Sequence, residues 1–297
     1  MNIMKLSALK SNFILLLVAI IWGTGFVAQR MGMEHIGPFT FNGIRFLLGC
    51  IPLIPFVFLS KDKLSFERRI PLIKSGIISG VFLFFGISFQ QVGLVYTTAG
   101  KAGFITGLYV VIVPILGLLI NQTKTSPASW IGAVMASVGI YFLSIKKGID
   151  INPGDILTFF SAICFAIHLI VISRFTNQFD TTKLSFVQFF FCGVISLITA
   201  AIFENLIVEN ILNSSLPLIY GGIISVGIAY TLQIYGQKET PATNAAIILS
   251  LESVFAVLSG WLILNEILSG RAILGCTLML SGIIISQLFS YKPTLKT

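Results

Sequence analysis

Val110-Val111-Ile112-Val113-Pro114-Ile115-Leu116-Gly117-Leu118-Leu119-Ile120 is apolar at every position but its glycine, and Phe13-Ile14-Leu15-Leu16-Leu17-Val18-Ala19-Ile20-Ile21 is a second unbroken run. A half-buried strand alternates apolar and polar residues, and a membrane barrel needs that alternation in segments of about ten. Neither run alternates. Backbone groups in hydrocarbon must then be satisfied within the segment itself, as an α-helix does. Working outward, the chain contains ten stretches near the roughly 20 residues that span a bilayer: 12–31, 38–60, 71–94, 99–121, 127–145, 154–174, 182–203, 216–237, 242–264 and 269–290. The links are short and leave no room for a soluble catalytic or sensing domain. The expected fold class is an all-α integral membrane protein with ten transmembrane helices.

Composition agrees. Of 297 residues, 56% are hydrophobic and 10% charged, against about 25% charged in soluble domains. A soluble fold of this composition would leave large apolar areas in water. The net charge of +8 is a topology signal, not a nucleic-acid patch. With the N-terminus cytoplasmic, 13 Lys and Arg fall on inside segments and 5 on outside segments, with Arg45 alone inside a helix. That bias predicts both termini on the cytoplasmic side of a cell membrane. Cys50, Cys164, Cys192 and Cys276 lie in expected helices without a C-x-x-C pair, and read as apolar packing residues. The first stretch has the look of a signal peptide, but its repeat partner at 154–174 predicts that it stays.

That partner belongs to a repeat. Gln90 corresponds to Gln233, Gly93 to Gly236, Ala99 and Ala102 to Ala242 and Ala245, Gly117 to Gly260, Gly132 to Gly275, and Gly139 to Gly282, all 143 positions apart. One unit was duplicated. Five helices per unit is odd, so the second copy enters the membrane from the other side. The expectation is two inverted five-helix repeats, residues 1–148 and 149–297, about a pseudo-two-fold axis in the membrane plane. The polar stretch from Lys146 to Gly154 is the link between them. Gly76 with Gly80, and Gly103 with Gly107 (counterparts Ala246 and Ser250), read as seams where helices approach closely.

Several motifs, in order, resemble one family. Trp22-Gly23-Thr24-Gly25-Phe26 is similar to the W-G-x-x-F opening of the EamA-type drug/metabolite transporters. Arg45-Phe46-Leu47-Leu48 resembles that family's R-F-L-L element. Leu251-Glu252-Ser253-Val254-Phe255-Ala256 with Gly260-Trp261 and Asn265-Glu266 resembles its L-E-P-V-F-A…G-W…G-E signature, with Ser253 for Pro and Asn265 for Gly. Gly154-Asp155-Ile156-Leu157 also fits, with the acid suited to a helix start. The resemblance implies ten helices in two inverted halves and the movement of small organic solutes, a metabolite or amino acid, with efflux favoured.

The candidate pathway residues are Trp22, Gln90, Gln91, Tyr109, His168, Tyr230, Gln233 and Glu252. Glu252 lies about ten residues into its helix, near mid-depth, where a carboxylate must be paired, hydrated or protonated. It reads as an amine-binding or proton-carrying acid, or as a fixed structural one. Its counterpart Tyr109 should approach the same central space, where a phenol can bond the acid or stack on a solute. His168, counterpart of Gly25, can titrate near neutrality or simply be a hydrogen-bonded interior histidine. Trp22, counterpart of Phe165, faces either the cavity or a neighbouring helix. Gln90 and Gln91 fall near the outer end of the third helix, and Gln233 with Tyr230 near the inner end of the eighth. Gln90 and Gln233 are therefore expected at opposite mouths, lining gates or bonding across helices. Arg45, counterpart of Gln188, is expected to snorkel outward or meet Glu34, and Lys101 to snorkel or attract anions.

Other patterns exclude themselves. Gly100-Lys101-Ala102 lacks the spacing of an ATP-binding loop. Gly222 to Gly227 has one residue too many for a nucleophile elbow. Asn121-Gln122-Thr123 falls on the expected cytoplasmic side. No His/Cys cluster suggests a metal, and no cofactor is expected. The sequence reads as a secondary transporter for a small-molecule solute in a lipid bilayer, working with protons or an exchanged solute, with a homodimer left open. A non-transporting regulatory or binding protein and an intramembrane enzyme using Glu252 and His168 are the alternatives.

Overall fold

The computed structural model describes residues 2–58, 66–97, 99–121, 125–144, 152–264 and 269–289. Lys146 to Ile151 of the inter-repeat link, Asn265 with Glu266, Gln122 with Thr123, and the side chain of Lys101 lie outside that description.

Every regular element among the described residues is helical. In chain order these are α1 (Asn2–Gly32), α2 (Pro38–Cys50), a 3-10 turn (Ile51–Leu53), α3 (Ile54–Phe58), α4 (Phe66–Tyr96), α5 (Ala99–Gly107), α6 (Tyr109–Asn121), α7 (Pro127–Ser144), α8 (Pro153–Phe175) and α9 (Thr181–Phe203). Then follow α10 (Val208–Asn213), α11 (Ser215–Ile219), a π-helix (Tyr220–Tyr230), α12 (Thr231–Gln237), α13 (Ala242–Leu249), α14 (Glu252–Leu264) and α15 (Gly270–Phe289). Helix starts follow from local chemistry. Pro38 occupies the first turn of α2, where its missing N–H costs nothing. Asn152 and Asp155 form a reciprocal capping box on α8, and Asp180 caps α9 through the Lys183 amide.

Among the described residues, seven stretches are long and apolar enough to cross a membrane: Leu9–Gly32, Pro38–Val57, Arg68–Tyr96, Pro153–Phe175, Thr181–Phe203, Ser215–Gln237 and Ala242–Ser259. Shorter apolar helices, Ile105–Ile120, Pro127–Phe142 and Ile273–Ser286, fall on the other three expected stretches. The described residues therefore hold seven spans of full length where the sequence predicts ten, and turns interrupt two of the expected helices. One break is at Leu108, between α5 and α6; the other is at Ser250 and Leu251, between α13 and α14. The amides of Leu108 and Leu251 turn to the carbonyls three residues back, Ile105 at 3.2 Å and Ile248 at 3.1 Å. The Ser250 hydroxyl donates to the Ile247 carbonyl at 2.8 Å, competing with the helical ladder. Gly107 precedes the first break with weak helix propensity, and Pro114 removes a ladder donor one turn into α6. Leu108 and Leu251 are themselves 143 positions apart.

The exterior is apolar where that of a soluble protein is polar, and the largely apolar interior also holds polar groups. Phe13, Leu119, Ile202, Phe203 and Leu216 stand exposed, while Gln29, Arg45, Gln91, His168, Gln188, Gln233 and Glu252 are buried. This is a multi-pass membrane protein, and the apolar exterior is its lipid-facing surface.

Helix contacts recur at the repeat offset. α4 packs on α8 and α9, as the π-helix packs on α1 and α2; α1 packs on α14, as α8 packs on α5 and α6. α7 and α15 run antiparallel through glycines: a Cβ on Gly132 would lie 2.6 Å from the Gly282 carbonyl oxygen, and one on Gly139 2.6 Å from that of Gly275. Gly76 and Gly80 abut Val187 and Phe191 of α9. Gly103 departs from its expected role, because nothing lies within 4 Å of where its Cβ would be.

The ends are tied in the same pattern. The Thr97 hydroxyl donates to Asp155 at 2.7 Å, and that of Thr240 donates to Asn12 at 3.2 Å. These pairs are 143-offset counterparts. Asn12 begins the membrane part of α1, whereas Arg30 and Met33 at its other end share a surface hollow of about 540 Å³ with Thr97 and Asn152. The two ties thus lie at opposite ends of α1, separated by roughly 30 Å of helix.

The glycine seam generates a paired prediction. Gly132→Val should lower the thermal stability of purified protein by about 1–3 kcal/mol through overpacking. Gly103→Ala, which meets open space, should leave the melting temperature unchanged or raised. Equal effects of the two would show that the seam is not what holds α7 against α15.

Candidate functional site

A cavity opens where α1, α2, α4, the two broken helix pairs, α8 and the π-helix converge. Trp22, Gln90, Tyr109, His168, Tyr230, Gln233 and Glu252 line it, together with Phe26, Gln29, Arg45, Thr106, Phe165, Leu169, Ser225 and Leu249. Ten of these residues form five counterpart pairs at the repeat offset: Trp22 with Phe165, Phe26 with Leu169, Gln90 with Gln233, Thr106 with Leu249, and Tyr109 with Glu252. The free space at its centre is about 50 Å³, room for one or two waters. A solute of ordinary metabolite size enters only if the lining moves apart.

The helix breaks build the centre. Tyr109 is the first residue of α6 and Glu252 the first of α14. A carboxylate at a helix start is favoured by the amide dipoles, so breaking this helix gives Glu252 a partial positive charge that an unbroken one withholds. The Tyr109 hydroxyl donates to Glu252 Oε1 at 3.3 Å. α1 passes beside this point at Gly23, where a Cβ would lie 2.7 Å from the Glu252 carbonyl oxygen and 2.8 Å from the Ala256 nitrogen. Any side chain at Gly23 pushes α1 off the cavity floor.

An aromatic wall runs from there. Trp22 packs on Tyr230 with ring centroids 4.5 Å apart, while its indole N–H donates to the Ser225 carbonyl at 3.3 Å. Tyr230 lies 5.9 Å from Phe46. Trp22 therefore both lines the cavity and packs on a neighbouring helix. The π-helix that carries Ser225 and Tyr230 contains Gly221, Gly222 and Gly227. It brings its backbone so close to α2 that a Cβ on Gly222 would lie 3.0 Å from the Arg45 carbonyl oxygen.

His168 shares a hydrogen bond between Nε2 and Gln188 Oε1 at 3.0 Å. Gln90 donates to Thr106 at 3.2 Å, and Gln233 to Gln237 at 2.8 Å. Gln90 and Gln233 both line the one cavity. Two placements differ from the sequence reading. Gln91 does not line the cavity; its amide turns to the Gln29 carbonyl at 3.5 Å, because adjacent helix positions face about 100° apart. Arg45 neither snorkels outward nor meets Glu34. It is 3% exposed, lines the cavity, and stands over the Phe41 and Phe46 rings at 5.3 and 5.4 Å.

Gln29, Thr106 and Ser225 are lining residues that sequence reasoning missed. Gln29 carried a signal, a polar amide in an apolar helix. Thr106 and Ser225 carried none, since hydroxyls are commonly absorbed by their own helix.

The Tyr109–Glu252 bond makes a testable difference between two variants. Tyr109→Phe strands a buried carboxylate and should cost about 1–3 kcal/mol of thermal stability. Glu252→Gln keeps an oxygen that accepts from Tyr109 and should melt close to the wild type. The reverse order would mean that the bond does not hold the two half-helices.

The chain resembles known proteins along most of its length. A model described as the EamA-like transporter family matches residues 9–145 and again residues 152–288. An uncharacterized transporter of Archaeoglobus fulgidus is 36% identical over 274 residues, covering 92% of this chain and 84% of its own. The uncharacterized transporter YoaV of Bacillus subtilis is 24% identical over 275 residues, with 91% and 94% covered. The uncharacterized inner membrane transporter YedA of Escherichia coli K12 is 28% identical over 284 residues, with 92% and 89% covered. A solved structure described only as the crystal structure of a protein superposes with a TM-score of 0.78 at 18% identity, covering 95% of this chain and 98% of its own. That last likeness is one of fold alone.

Proposed function

The chain belongs to the EamA-like transporter family and is a membrane transporter, and on that premise we propose that it is a secondary active transporter working by alternating access. It moves a small organic metabolite, an amino acid or related amphipathic solute, outward across a cell membrane. The observation that carries this reading is the cavity at the two helix breaks, lined by aromatic and polar side chains that include five pairs of repeat counterparts. Broken helices that aim their ends at a mid-depth site are a recurring device of secondary transporters.

The proposed architecture is ten helices in two inverted repeats, residues 1–148 and 149–297, with both termini cytoplasmic. The recurring helix contacts support it, as does Tyr109–Glu252: a residue touches its own counterpart only near a two-fold axis. The Lys and Arg bias supports the orientation. The mouth ties support the mechanism. Thr97–Asp155 and Thr240–Asn12 are both formed in this structure, and in the proposed cycle each ties one mouth. Opening one while the other holds exposes the site to one side at a time. A net hydrogen bond contributes only about 1 kcal/mol, so thermal motion and solute binding suffice to open either tie.

A counterflow screen in proteoliposomes against a broad panel of metabolites tests the function. Accumulation of an unmodified solute is the expected result; binding without flux, or covalent change to the solute, would overturn it. Thr240→Val and Thr97→Val test the ties. Each should raise the labelling of a cysteine at its own mouth and leave the other mouth unaffected; a uniform rise would argue against independent gates. The proposed coupling to protons runs through Glu252. Glu252→Gln should abolish pH-driven movement while sparing exchange of solute for solute, and unchanged pH-driven transport would remove Glu252 from the coupling.

A further inference from the structure

The cavity holds a basic and an acidic side chain that do not pair with each other. Arg45 enters from α2 and Glu252 from α14, and both line the same space. Glu252 takes its hydrogen bond from Tyr109, not from the guanidinium. Arg45 has ring faces for neighbours at 5.3 and 5.4 Å, and its Nε is buried without a hydrogen-bond partner. Ring faces stabilise a cation by about 0.5–2 kcal/mol. Removing an ion from water costs several kcal/mol even after relaxation. The rings leave most of that deficit standing, so the guanidinium lacks an anion.

We propose that Arg45 is the anion subsite of this cavity and that the solute is a small zwitterion, its carboxylate held at Arg45 and its ammonium at Glu252. A guanidinium presents a planar fork that matches a carboxylate through two parallel hydrogen bonds. The same cavity is walled by Trp22 and Tyr230, with ring centroids 4.5 Å apart. That wall offers an apolar surface to the carbon skeleton joining the two charged groups. A solute with only one charge leaves the other buried ion without a partner, and that penalty discriminates against it. Arg45 thus becomes a specificity-determining residue, whereas a purely structural arginine would be indifferent to the solute's carboxylate. This inference rests on the cavity being the solute site of the proposed transporter.

The test separates binding from movement. Purified full-length protein is titrated calorimetrically with the proteinogenic amino acids. Whichever binds is compared with its carboxamide, which keeps only the ammonium, and its desamino acid, which keeps only the carboxylate. The zwitterion should bind about tenfold or more tightly than either analogue. Arg45→Met should weaken the acid by a similar factor and leave the amide unchanged, so that the preference disappears. Arg45→Lys, which keeps the charge but not the fork, should retain some of it. Melting curves identify any variant that fails to fold, and the wild-type analogue series then decides alone. The proposal is overturned if no amino acid binds, if the amide binds as tightly as the acid, or if Arg45→Met keeps the preference. Counterflow with the same probes distinguishes the two readings. Zwitterion binding without flux would sink transport and leave the Arg45 subsite standing, whereas equal flux of a singly charged analogue would do the opposite.

Discussion

A carboxylate surrounded by hydrocarbon has to be met by groups the protein itself supplies. Glu252 is met by a helix start and by the Tyr109 hydroxyl at 3.3 Å, and much of the architecture follows from that arrangement. A helix start at this depth requires the helix to break, which it does at Ser250 and Leu251. The partner hydroxyl must come from a second chain segment at the same depth, and Tyr109 begins the other broken helix. α1 must pass close by without a side chain in the way, and it does so at Gly23. None of these features is explicable alone; together they hold one buried acid at the meeting point of the halves.

The same economy bears on the proposed change of shape. The contact between α7 and α15 is made backbone to backbone through four glycines, a dense seam with little to rearrange. The proposed mouth ties, Thr97 to Asp155 and Thr240 to Asn12, are side-chain hydrogen bonds. The stiff seam and the weak ties differ in strength in the direction that a rocking mechanism needs. The π-helix sits between these regimes. Its glycines let Tyr230 reach the cavity while the backbone lies against α2, and π-helical geometry in a long helix is often found at functional sites.

How far the chain could be read in advance depended on the kind of feature. Continuous apolar runs such as Val110 to Ile120 were enough to recognise membrane helices, because hydrophobic length is a local property. The repeat was legible because Gln90 and Gln233, or Gly139 and Gly282, kept their spacing. Glu252, Tyr109, Trp22 and His168 stood out because polar or bulky groups in an apolar helix are costly to place. The breaks at Leu108 and Leu251 were not legible. Gly107 and Ser250 looked like packing residues, and in helices a small residue serves contact and interruption alike.

By itself, the amino-acid sequence determined the solvent of this protein, its helical class and its internal duplication, since hydrophobic length and residue spacing are properties of a single strand of chain. Only the tertiary structure decided which polar groups share a space. It set Gln90 and Gln233 on the wall of one cavity, turned Gln91 away and aimed Arg45 inward. The depth and direction of a side chain depend on where its helix breaks and how it crosses its neighbours, and those are settled by packing between segments far apart in the chain.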